Sequence, residues 1–172
     1  MNLRDVFVRK NPSGLDAIFK THGLIPRDGS GGAFGYGLLT AKGLDAVIVS
    51  TIHKGVLDSE TQRNANDPIF HNHFVKLKTG VALCENNPAI DKITFQSPGR
   101  VAIKSTDALQ ARIPKSFTGT DALINQPLTL NPGSNLQNAV SFKLDPKFRG
   151  NTQAAVCATD ISPVEPDHLF VR

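Results

Sequence analysis

Through most of the chain apolar and polar residues alternate one by one, the period of a strand with one face in a core. Residues 2–9 carry Val6 and Val8 against Phe7, and residues 33–39 alternate around Gly35 and Gly37. Residues 46–49 (Ala-Val-Ile-Val) are apolar on both faces, which predicts a central strand buried on both sides. Residues 70–77 and 93–96 follow, and residues 101–104 return after Ser97, Pro98, Gly99 and Arg100. That tetrad predicts a type II turn with Gly99 at positive φ, closing a hairpin between 93–96 and 101–104. Further alternation covers residues 109–113, 127–130, 140–144 and 154–161, and residues 168–172 suggest an edge strand. Residues 145–151 read as a loop, and residues 117–125 give no clear pattern.

Only one segment favours a helix. Ser13 as cap with Asp16 three residues on, then Leu15, Ile18 and Phe19 on one face and Gly23 at the end, predict a short one, with His22 at its C-terminus. The expected fold is therefore all-β: an antiparallel β-sandwich or barrel of about eight to ten short strands with one short N-terminal helix. Residues 1–28 would form an extension docked on a single β domain spanning 29–172. Glycines on one face of a strand, as at Gly35 and Gly37, mark a bulge or a close backbone approach.

Composition narrows the function without naming it. The 172 residues suit one domain with a full core, and 14 Gly and 11 Pro fit a loop-rich globular chain. The net charge of +4 is mild and the Lys and Arg are scattered. A nucleic-acid partner is therefore not expected. No stretch approaches the length of a spanning helix, and residues 1–10 lack the apolar core of a signal peptide. Residues 27–32 are glycine-rich, but no strand precedes them and no capped helix follows, against a phosphate-binding loop. No G-x-S-x-G motif supports a nucleophilic hydrolase. Nothing in the pattern speaks to oligomeric state.

Three of the five histidines fall in one neighbourhood. In a strand over 70–77, His71 and His73 share a face while Asn72 points the other way. An antiparallel partner over 44–53, joined through the polar connection 54–69, brings His53 beside them. Neutral imidazole is a good ligand for zinc, copper, iron or nickel, so His53, His71 and His73 are the candidate ligands of one transition metal ion, zinc or copper foremost. Placed at a mouth of the fold, such an ion would keep an open position for a small-molecule ligand. Asp58 and Glu60, in the connection, are the candidate general bases, and with His168 or water the candidate fourth ligands. The bland alternative is histidines that only hydrogen-bond carbonyls or solvent. A non-catalytic extracellular β-module for binding or adhesion, with a structural metal or none, is the competing function.

Cys84 and Cys157 allow one disulfide worth roughly 4 kcal/mol in the chain-entropy picture, and with it an extracytoplasmic home. Two buried thiols in a cytosolic protein are the other reading. His71 and His73 one residue apart, then Cys84, then Cys157 in a late strand, resemble the order of features in copper/zinc superoxide dismutases. There an H-x-H strand supplies metal ligands and a nearby cysteine pairs with one near the C-terminus of a β-sandwich. That family needs several further ligands downstream, one histidine bridging two metals, whereas only His168 follows His73 here. The two-metal site cannot be built. The H-x-H pair is also similar to the cupin signature, but Val75, Lys76, Leu77 and Lys78 stand where cupins place a glutamate. The residues assign the chain to neither family.

Overall fold

A computed structural model describes residues 2–54, 56 and 66–172. It is built from two layers of mostly antiparallel strands, as the alternation implies. Thirteen strands occur among the described residues, several of only three or four residues.

The first layer is a closed barrel. Its strands are β3 (Phe34–Thr40), β4 (Val47–Lys54), β5 (Asn66–Lys78), β6 (Ala89–Ile93), β11 (Leu136–Arg149) and β12 (Thr152–Pro163). Around the wall the order is β11, β12, β6, β5, β4, β3, and β3 pairs with β11 to close it. The second layer is a five-stranded sheet made from β1 (Leu3–Asn11), β2 (Gly14–Thr21), β7 (Arg100–Ser105), β8 (Ala108–Pro114) and β13 (Leu169–Val171). Its order is β13, β1, β2, β8, β7, with β13 parallel to β1 at the edge. A small hairpin, β9 (Phe117–Thr120) and β10 (Pro127–Leu130), completes the chain.

Alternation along β3, β4 and β5 serves both layers. Phe34, Tyr36, Leu38, Ile48, Ile52, Phe70 and Phe74 face outward and pack on Val6, Phe19, Leu109 and their neighbours from the flat sheet, forming the main core. Val47, Val49 and Val75 face the other way, into the barrel lumen with Val140 and Phe142. This is why residues 46–49 are apolar on both faces.

Three expectations are corrected. Residues 14–21 are strand β2, not a helix. Leu15, Ala17 and Phe19 are buried at a period of two, and pairing on both sides, to β1 and to β8, decides against the helical pattern of Leu15, Ile18 and Phe19. Ser13 caps no helix; its N–H and hydroxyl both donate to Asn11 Oδ1 in the β1–β2 turn. Residues 101–104 do not return on 93–96. Gly99 does adopt positive φ (80°), but the turn carries the chain from barrel to sheet, and β7 pairs with β8. Phe95 N–H bonds instead to the Thr120 carbonyl (2.7 Å). Finally, residues 145–151 are mostly strand, because β11 and β12 run on as a long hairpin that turns at Gly150.

Cys84 and Cys157 form the disulfide, with Cα atoms 5.5 Å apart. It lies at the barrel's thinnest seam, where β12 and β6 share one paired position, Cys157 with Ala89. The Ala158 N–H bond to the Pro88 carbonyl (2.8 Å) adds to that seam. No described helix is long and apolar enough to cross a membrane.

Candidate metal centre

Strands β4 and β5 pair antiparallel with Thr51 opposite His71 and Val49 opposite His73. Toward the connection, β4 advances two residues from Thr51 to His53 while β5 advances four from His71 to Asp67. The stretch of β5 that holds Pro68 therefore bulges, as expected of a residue with no N–H for the ladder. The bulge brings the Ile69 carbonyl back onto the ring of His71.

All three imidazoles converge inside the barrel. His53 and His73 are fully buried and His71 is 7% exposed, so the part of the barrel that holds them is covered. Ring centroids are 4.8 Å apart for His53 and His71, 4.6 Å for His71 and His73, and 6.3 Å for His53 and His73. One ligand atom from each ring lies within 4.8 Å of the other two.

The hydrogen bonds fix the tautomers. Nδ1 of His53 lies 2.8 Å from the Val56 carbonyl, Nδ1 of His71 lies 2.8 Å from the Ile69 carbonyl, and Nδ1 of His73 lies 2.6 Å from the Thr94 carbonyl. A carbonyl oxygen only accepts, so each Nδ1 carries the proton and donates it. A ring that is neutral then has its lone pair on Nε2, the arrangement that orients metal-binding histidines. Nε2 of His53 and Nε2 of His71 are 2.9 Å apart. Two lone pairs at that distance repel unless a cation, a proton or a metal ion, lies between them. Tetrahedral coordination at 2.0–2.1 Å separates ligand nitrogens by about 3.3 Å, so small ring movements would convert this contact into two metal bonds.

The supporting residues are held as firmly. Thr94 is buried; its N–H donates to the Phe74 carbonyl (3.1 Å) and its hydroxyl oxygen accepts the Phe74 N–H (3.1 Å). Val56 packs with Ala33 and Val156 at the histidine end of the barrel. Gly35 permits the close approach that its position suggested, since an added Cβ would lie 2.6 Å from the Ser50 carbonyl oxygen and 2.8 Å from Phe142 Cζ. Asn72 points away from the triad into the space between the layers. There Ser50 Oγ–H donates to its Oδ1 (2.6 Å) and its amide donates to the Pro98 carbonyl (2.9 Å).

Of the other sequence candidates, Asp58 and Glu60 lie outside the described residues. His168 is elsewhere, exposed and bonded to Asp5 at the edge of the flat sheet (2.9 Å). His22 is exposed beyond β2. Sequence reasoning missed Val56, Ile69 and Thr94, which meet the rings through their carbonyls and not their side chains; a carbonyl leaves no trace in residue type. Comparison of the chain with protein-family models, with curated proteins and with solved structures returned no match.

Proposed function

We propose that this is a metal-binding β-barrel protein in which Nε2 of His53, His71 and His73 hold one transition metal ion. The observation that carries the reading is that three buried imidazoles, each with Nδ1 bonded to a backbone carbonyl, offer ligand atoms within 4.8 Å of one another. Both cysteines are spent in the disulfide, so the donor set is imidazole, which suits zinc or copper. Asp58 or Glu60, in the connection between β4 and β5, is proposed to supply a fourth ligand or a general base. An open position on such an ion acidifies bound water or polarises a carbonyl, the basis for metal-assisted chemistry on a small molecule. The disulfide supports an oxidising, extracytoplasmic location.

Metal analysis of untagged protein tests the reading, beside a His71→Gln variant. About one equivalent of zinc or copper per chain is expected, lost in a variant whose circular dichroism is unchanged. At free metal a hundredfold above Kd, the wild type should gain about 2.7 kcal/mol over its chelated form and the variant nothing. No bound metal, even after titration of the chelated protein with zinc and with copper, overturns it.

The near-complete burial of the triad favours a second reading, a non-catalytic module with a closed structural metal. Cobalt(II)-loaded protein separates the two. A visible spectrum that changes on adding azide indicates an open position and the enzyme; an unchanged one indicates the module.

A further inference from the structure

The triad occupies only one end of the barrel. The rest of the lumen holds a cavity of about 90 Å³ with sixteen lining residues, of which Thr51 alone carries a polar side chain. That hydroxyl already donates to the Phe34 carbonyl (2.8 Å), so it offers a ligand no free donor. The cavity begins beside the histidines. Thr51 is the cross-strand partner of His71, Val49 that of His73, and both line it. At the far end the lining includes Leu44 and Ile161, which are 37% and 44% exposed. An apolar passage thus runs from an exposed apolar rim to the metal-ligand layer, while Val56 covers the histidine end.

We propose that this lumen binds the apolar body of a small neutral molecule, an alkyl or aryl group, which enters past Leu44 and Ile161 and ends against the histidine layer. The proposal rests on the metal reading only for what the ligand meets at its inner end. Chemistry selects the occupant. A charged or polyhydroxylated molecule would surrender its hydration to a wall with nothing to replace it. A small apolar one surrenders nothing and removes exposed apolar surface from water. The volume is of the right order, since an engineered apolar cavity of about 150 Å³ takes up benzene, and this one is open at its rim. The layout also assigns roles: the lumen reads size and apolarity, and the sole polar contact comes at the end of the path.

The test uses the whole protein, zinc-loaded and zinc-free, with benzene and pyrazine as probes of equal shape and opposite polarity. Methyl NMR signals of Val75, Ile93 and Val140 should shift and saturate with benzene. In zinc-free protein pyrazine should bind at least tenfold more weakly. Xenon, smaller than benzene, repeats the measurement should the ring exceed the bore. Leu39→Trp, at a half-buried lining position near the rim, should weaken benzene binding at least tenfold; Ile161→Glu, at an exposed site, should weaken it less. The proposal is overturned if neither benzene nor xenon gives a saturable shift at those methyls, if pyrazine matches benzene, or if Leu39→Trp binds as the wild type does. The two readings fail separately. Benzene binding by a protein that takes up no metal leaves the lumen standing and removes the metal. Metal uptake with an empty lumen does the reverse.

Discussion

Strands β3, β4 and β5 have two faces that are packed for different ends. The outer face, against the flat sheet, is close-packed and aromatic. Phe19 stacks on Tyr36 with centroids 5.5 Å apart, and Phe34 meets Phe70 edge-on at 5.5 Å. The lumen face of the same strands carries Gly35, Gly37, valines and the three histidines, and it keeps a cavity. A protein seeking only stability would fill the second face like the first. The alternation of a strand lets one segment do both, with the outer face offsetting the cost of an inner face left hollow and, at the histidines, polar.

The comparison breaks most sharply at core truncation. Phe74→Ala, between the layers, should cost about 3–5 kcal/mol in urea unfolding. Val49→Ala, on the neighbouring strand but facing a lumen already hollow, should cost about 1.5 kcal/mol for its lost methyl groups. Equal losses would mean that the lumen is as tightly packed as the interlayer core.

The seam of the barrel gives the next effect. Replacing both Cys84 and Cys157 with Ala removes a cross-link spanning 73 residues, worth about 4 kcal/mol at most in the chain-entropy model and usually less when measured. The loss should be local first. Hydrogen exchange at the Ala158 amide, which bonds across the seam to Pro88, should accelerate well before that of β2 or β8. Uniform acceleration would show that barrel and sheet open as one unit.

A smaller change should stabilise. The Tyr36 hydroxyl is buried in the interlayer core with no hydrogen-bond partner among the described residues. Burial pushes its ionisation well above the usual value of 10.0. Tyr36→Phe removes an unsatisfied group and should gain about 1 kcal/mol. The sign with pH follows from linkage: the folded phenol stays neutral, so the wild type loses stability above pH 10 as the unfolded phenol ionises. The variant should lose less there. A destabilised Tyr36→Phe would reveal a partner for the hydroxyl.

Much of the site could be read from the chain, and the reason is periodicity. His71 and His73 had to share a face of any strand, and a returning partner strand had to bring His53 near. What could not be read was which face of β4 would turn into a barrel, since both faces of residues 46–49 are apolar. The carbonyls of Val56, Ile69 and Thr94, which fix the tautomers, depend on the path of the backbone alone. The misplaced helix at 14–21 and the hairpin that did not form at 93–104 differ in cause. At 14–21 pairing with β8, distant in sequence, overrode the local helical pattern. At 101–104 the next strand, β8, made a tighter hairpin than 93–96 could.

The mildest expected effect concerns the edge of the flat sheet, far from the hollow face. His168 donates Nδ1–H to Asp5 Oδ1 at 2.9 Å, beside the parallel pairing of β13 with β1. The bond raises the His168 pKa above its usual 6.5 and lowers that of Asp5 below 3.8. Arg4, which also contacts Asp5 (3.0 Å), keeps its charge throughout, and Glu165 and Asp167 add to the upward pull on His168. The His168 contribution is complete below pH 6.5 and is lost as pH rises through the raised folded value. The Asp5 contribution is complete above pH 3.8 and is lost as pH falls through the lowered one. β13 should therefore be held best between these limits. The Arg172 amide, bonded to the Val8 carbonyl (2.9 Å), reports on it. After correction for intrinsic rates, its exchange should quicken from pH 6 to pH 8 in the wild type and stay level in His168→Gln. The amides of β4 and β5 should not follow, because both faces of those strands are covered and the edge of the flat sheet is not.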